Sequence, residues 1–126
     1  MSLSGILGGG AFFQAYGRCE SGCAPVYHYL VEYDSESVFA PGYRCAWHTA
    51  DLPLQFRIVL HPESETLSRQ MAHAWASFIR TGNPSTPELE WPEFTLSDRN
   101  VMVFDDVTSV KKDPLQPVRA AFGNDK

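Results

Sequence analysis

The sequence predicts a mixed α/β chain with few strands and one long helix, and three stretches carry that reading. The run Val26-Tyr27-His28-Tyr29-Leu30-Val31-Glu32-Tyr33 is β-branched and aromatic on both alternating faces, the composition of a strand covered on two sides. Within residues 64–81, Leu67, Met71, Ala74, Trp75, Phe78 and Ile79 recur at spacings of three and four, which builds one apolar helical stripe expected to pack in a core. Val101-Met102-Val103-Phe104 reads as a short strand ahead of the acidic pair Asp105-Asp106.

The remaining elements follow from local chemistry. Gly8-Gly9-Gly10 marks residues 1–10 as a flexible leader or a vector-derived scar, ahead of one unit over residues 11–126. Phe12, Phe13 and Tyr16 suit a short helix laid on a core. Residues 34–41 are rich in turn formers, and residues 42–62 hold no period, so an ordered loop with short elements is expected there. The long helix has marked ends: Ser64 or Thr66 as a cap, Glu65 at the positive start, Arg80 in the last turn, and Gly82 before Asn83-Pro84 as the stop. Trp91-Pro92-Glu93-Phe94 looks extended, and residues 114–122 add one or two helical turns. This order leaves a buried-type strand without the neighbours that would cover it, so the chain reads as a piece of a larger sheet.

Composition excludes several classes of function. With 126 residues, 44% of them apolar and 13% aromatic, the chain suffices for one compact domain and not for a two-domain enzyme. Lys plus Arg number 10 against 15 Asp plus Glu, a net charge of -5 with no basic run, which argues against nucleic acid or anionic lipid as partner. No stretch approaches the ~18 apolar residues of a membrane helix, and Met1-Ser2-Leu3-Ser4 lacks the positive start of a signal peptide, so a soluble chain is expected. Cys19, Cys23 and Cys45 cannot all pair within one chain and read as reduced thiols. Cys19 and Cys23 with His28 and His48 do not form the closed four-ligand spacing of a zinc site, so no metal and no cofactor is expected.

Several linked motifs carry a family resemblance. Pro25-Val26-Tyr27-His28-Tyr29-Leu30 is followed by Ala46-Trp47-His48-Thr49-Ala50-Asp51-Leu52-Pro53-Leu54-Gln55-Phe56 and by Leu67-Ser68-Arg69-Gln70-Met71. Then come Trp75-Ala76-Ser77-Phe78-Ile79-Arg80-Thr81-Gly82-Asn83-Pro84, Trp91-Pro92-Glu93-Phe94, and Arg99 with Val101-Met102-Val103-Phe104-Asp105. In order and spacing these resemble the C-terminal part of the type-B carboxylesterases and cholinesterases, a branch of the α/β-hydrolase fold, over roughly residues 11–122. The resemblance implies a C-terminal fragment of that fold, cut from an enzyme that cleaves carboxylic esters.

It also implies one catalytic residue. His48 matches the histidine of the family's Ser, Glu or Asp, His triad, which takes the proton from the nucleophilic serine and returns it to the leaving alcohol. Imidazole suits that work because it titrates near neutral pH. The family often has glycine after this histidine and an acidic residue two further on. Thr49 and Asp51 stand there, a departure that bears on the local loop shape and not on the identity of the histidine.

The other triad parts are missing from the sequence. A nucleophile elbow needs G-x-S-x-G, because its strained strand-to-helix turn tolerates only small residues beside the serine, and no such run exists here. Cys19-Glu20-Ser21-Gly22-Cys23 contains Glu-Ser between cysteines and reads as a decoy. Gly8-Gly9-Gly10 echoes a glycine-rich oxyanion loop in the wrong place. Glu32 and Asp34 lie too late in the chain to be the triad acid, and His28, His61 and His73 read as structural. Two classes of function survive: a hydrolase segment that contributes His48, inactive alone, and a non-catalytic cholinesterase-like binding or assembly module. The expected partners are the missing N-terminal part, an ester in the intact enzyme, and a second copy bound through exposed strand edges.

Overall fold

The computed structural model describes residues 3–37 and 39–121. Its helices are α1 (Leu3–Ser21), α2 (Asp51–Gln55), α3 (Glu65–Thr81) and α4 (Gln116–Ala121). Its strands are β1 (His28–Val31), β2 (Ser35–Ser37), β3 (Ala40–Cys45), β4 (Asn100–Phe104) and β5 (Ser109–Lys112). Three strands form a sheet in the order β1-β4-β5, and β2 pairs with β3 in an antiparallel hairpin. Residues 1 and 2 of the predicted leader, and Phe122 at the end of the predicted C-terminal turns, lie outside the described residues.

Two compact units divide the chain. In the first, built from the chain up to Leu30, Pro92–Met102 and the stretch from Val110 on, α1 turns Phe12 and Ala15 inward against Phe94. Tyr16, Cys19, Val26 and Leu115 close over this cluster, and α4 packs on α1. The Phe12 and Phe94 rings meet edge to face at 5.9 Å, and the Phe94 N–H donates to the Val26 carbonyl at 2.7 Å. Arg119 is only 2% exposed. Its guanidinium lies 3.9 Å from the Phe12 ring centroid and donates to both oxygens of Asp113, at 2.5 and 2.7 Å.

The second unit, Val31–Trp91 with Val103–Ser109, is organised by α3. Leu67, Met71 and Ala74 are buried on its inner face, Trp75 stacks between Trp91 and Phe104 at 5.8 and 5.9 Å, and α2 packs alongside. The helix stops where expected: Gly82 takes φ 78 and its N–H returns to the Phe78 carbonyl at 2.8 Å. Ser64 occupies the cap position, but its hydroxyl donates to the His61 carbonyl at 2.8 Å, so a 3-10 turn at Pro62–Ser64 leads into α3 in place of a side-chain cap.

Four expectations need correction. The glycines of the leader lie inside α1, which makes two long helices where one is predicted. Each glycine costs roughly 1 kcal/mol against alanine, yet extending a helix that has already nucleated adds a hydrogen bond per residue. Ser35–Ser37 and Ala40–Cys45 pair as the two strands of a hairpin, where turns and a loop with short elements are expected. The strand covered on both sides is β4, with Val101, Met102, Val103 and Phe104 all buried. β1 shrinks to four residues at the sheet edge, where only His28 is buried, and β4 is the neighbour that the sequence did not assign to it. Finally, the α3 stripe is core only as far as Trp75, because Phe78 is 48% and Ile79 81% exposed.

Candidate active-site histidine

His48 stands at the exposed tip of a turn between β3 and α2. The turn is anchored on each side. Before it, the Trp47 indole N–H donates to the Ser35 hydroxyl of β2 at 2.7 Å, and the Phe39 ring meets Trp47 edge-on at 6.5 Å. After it, Ala50 is buried, its N–H donates to the Trp47 carbonyl at 3.1 Å, and the Leu52 N–H donates to the Thr49 carbonyl at 3.1 Å to open α2. The buried Ser68 hydroxyl of α3 donates to the Leu54 carbonyl at 2.9 Å and fixes α2 in turn.

The hairpin that supplies Ser35 is held by its own polar contacts. Ser35 is in register with Cys45 and Glu36 with Arg44, and the Gly42 N–H donates to the Glu36 carboxylate at 2.7 Å. Arg44 donates to the Asp34 carbonyl at 2.7 Å and pairs with Glu63 at 3.2 Å. That ion pair raises the Arg44 guanidinium and lowers the Glu63 carboxyl, and backbone donation contributes most to the latter. Both partners are half exposed, so the pair orders the hairpin more than it stabilises it.

Thr49 adopts φ 70, the left-handed region where a β-branched side chain is strained. The backbone there has a shape that glycine adopts freely, although the residue is threonine. Asp51 accepts from the Gln55 amide at 2.7 Å, on α2. Among the described residues no side chain is hydrogen-bonded to the His48 imidazole.

Ser21 ends α1 with its hydroxyl donating to the Arg18 carbonyl at 2.7 Å, and no strand-to-helix elbow surrounds it. Gly8, Gly9 and Gly10 lie within α1, where backbone N–H groups are committed to the helix. His28 is 5% exposed, its two ring nitrogens lack partners among the described residues, and burial pushes its pKa down. His61 contributes its carbonyl to the Ser64 turn, and His73 is exposed on α3. Sequence reasoning missed Ser35 and the Ser35–Trp47 link, which joins residues 12 apart and leaves no local signal. No group of three or more metal-ligating side chains occurs among the described residues, and none of their helices is long and apolar enough to cross a membrane.

With this geometry the fold class is defined by likeness to solved structures. A Geobacillus stearothermophilus carboxylesterase at pH 6.8 superposes with a TM-score of 0.71 at 29% identity, over 85% of this chain and 24% of that one. A PNB esterase superposes with a TM-score of 0.68 at 30% identity, over 80% and 22%. The chain is a segment of the α/β-hydrolase fold. The model of the carboxylesterase family matches residues 11–122, and the chain belongs to that family. The para-nitrobenzyl esterase of Bacillus subtilis (strain 168) is 29% identical over 110 residues, 79% of this chain and 22% of that protein. The human cocaine esterase is 37% identical over 81 residues, 56% of this chain and 14% of that protein. The chain thus spans less than a quarter of the length of these relatives.

Proposed function

We propose that this chain is the histidine-bearing C-terminal segment of a carboxylesterase-type serine hydrolase, with His48 as its general base. The observation that carries the reading is the turn itself: an exposed imidazole at its tip, a glycine-like backbone at Thr49, and anchors at Trp47 and Ala50 on either side. In the assembled enzyme the imidazole removes the serine proton as the hydroxyl oxygen attacks the ester carbonyl. It then delivers that proton to the alcohol oxygen as the ester C–O bond breaks. Water repeats the cycle on the acyl-enzyme, with His48 again taking and returning one proton.

The serine, the oxyanion donors and the acid belong to the N-terminal part, which also supplies most of the substrate pocket. The chain alone then has nothing that binds the transition state preferentially and does not turn over esters. Apolar surface on the second unit supports a large partner: Leu52, Phe56, Ile58 and Leu60, with Phe78 and Ile79, are all exposed. In its absence a second copy is expected on β1, whose edge carries Tyr29, Leu30 and Val31, and not on β5, whose edge carries Lys111 and Lys112.

The test is hydrolysis of a short-chain nitrophenyl ester by the chain, by His48→Ala and by Ser21→Ala. Equal background rates are expected in all three. Saturable turnover that disappears in both variants would make Ser21 the nucleophile and overturn the reading.

A further inference from the structure

One motif has no part in ester hydrolysis, the pentapeptide Cys19-Glu20-Ser21-Gly22-Cys23. It closes α1: the Gly22 N–H donates to the Cys19 carbonyl at 3.1 Å, and Gly22 takes φ 63, which turns the chain back beside the helix end. As a result both sulfur-bearing residues line one cavity of about 440 Å³ in the first unit, together with Pro25, Glu93 and Leu96. That volume is in the range of small-molecule sites. Within it the two thiols are unequal. Cys23 is exposed, whereas Cys19 is half buried and its S–H donates to the Phe94 carbonyl at 3.0 Å. Burial, and after it the Glu93 carboxylate, hold the Cys19 thiol above its ordinary pKa.

We propose that Cys19 and Cys23 form a dithiol site that reacts with a low-molecular-weight disulfide and closes to an intrachain disulfide. The Cys23 thiolate attacks one sulfur of the small disulfide RSSR, forming a protein–SR bond and releasing RS⁻, which takes up the proton that Cys23 lost. Cys19 then gives up its proton and attacks the Cys23 sulfur, and the S–SR bond breaks to release a second RSH. The two protein thiols are oxidised, RSSR is reduced to two RSH, and no other oxidant is needed. Exposure sets the order, because Cys23 is the more open of the two to a solute, while Cys19 lies on the inner side as the resolving thiol.

Geometry permits the closure. Cys23 lies past the end of α1, where the positive φ of Gly22 turns the chain back toward the cavity that Cys19 also lines. A disulfide needs Cβ atoms about 3.5–4.5 Å apart, and the approach falls across Gly22, the residue of the segment with the most backbone freedom. Cys45 lies in the other unit and is expected to stay reduced.

Oxidised glutathione is the probe. The reduced chain is incubated with it, the remaining thiols are alkylated, and the tryptic peptide of residues 19–44 is weighed. The expected product lacks two hydrogens and both alkyl groups in that peptide, with Cys45 fully alkylated. Cys19→Ser should instead trap a stable glutathione adduct on Cys23, and Cys23→Ser should take up none. A wild-type chain that keeps the adduct with Cys19 alkylated, that pairs either cysteine with Cys45 or with a second copy, or that does not react at all would overturn the assignment.

Discussion

The buried cation of the first unit offers the sharpest stability test. Arg119 is 2% exposed against the Phe12 ring, and Asp113 is its carboxylate partner through two short hydrogen bonds. Asp113→Asn removes the negative charge but keeps a side chain that tolerates the φ 46 of this position, so it isolates charge from backbone strain. Breaking a buried pair from one side typically costs 3–5 kcal/mol. The Asp113 side chain is 24% exposed, so solvent compensates part of the loss and about 3 kcal/mol is expected. Arg119→Met removes the cation itself and leaves a side chain that fills the space on Phe12, so it should cost about 1 kcal/mol or less.

Thermal unfolding followed by circular dichroism separates the two. At about 4 °C per kcal/mol, Asp113→Asn lowers Tm by roughly 12 °C and Arg119→Met by under about 4 °C. The pH dependence gives a second readout. Hydrogen bonding from Arg119 is the leading cause that depresses the Asp113 carboxyl. The stabilisation is therefore present above the unfolded value of about 3.9 and is lost as pH falls through the lower folded value. Asp113→Asn should lack that acid limb. Equal shifts for the two variants, or an unchanged acid limb, would refute the argument that an uncompensated buried charge sets the cost.

Other variants probe the remaining elements. His28 is held neutral by burial, so stability should fall as pH drops below the unfolded histidine value of about 6.5; His28→Leu should flatten melting curves taken between pH 7.5 and 5. Thr49→Gly should raise stability by about 1 kcal/mol in urea unfolding by relieving the left-handed β-branched residue. Trp75→Ala should cost about 3 kcal/mol through its contacts with Trp91 and Phe104, whereas Ile79→Ala should change stability by less than about 0.5 kcal/mol on the same curves.

The parts legible in sequence are those whose signal is local and periodic. α3 shows because six apolar residues keep one helical spacing and Gly82 ends it, and β4 shows because four consecutive apolar residues precede an acidic pair. The β2–β3 hairpin does not, since five of the six β3 residues are exposed and Pro41 and Gly42 look like turn formers; cross-strand pairing and the Glu36 contact to Gly42 hold it instead. Phe78 and Ile79 obey the stripe yet stay exposed, because periodicity reports which way a face points and not whether anything covers it. His48 is legible through the family motif around it. Its supports at Ser35 and Trp47 come from tertiary packing, and the left-handed Thr49 is invisible because threonine gives no hint of positive φ.

Complementation tests the central claim most directly. The chain is mixed with the N-terminal part of the hydrolase that carries the G-x-S-x-G elbow, and saturable hydrolysis of a nitrophenyl ester is measured for the wild type and for His48→Ala. If His48 is the general base, the mixture turns over ester that neither part alone does, and His48→Ala lowers kcat by about a thousandfold or more. A mixture whose turnover survives His48→Ala would contradict the assignment.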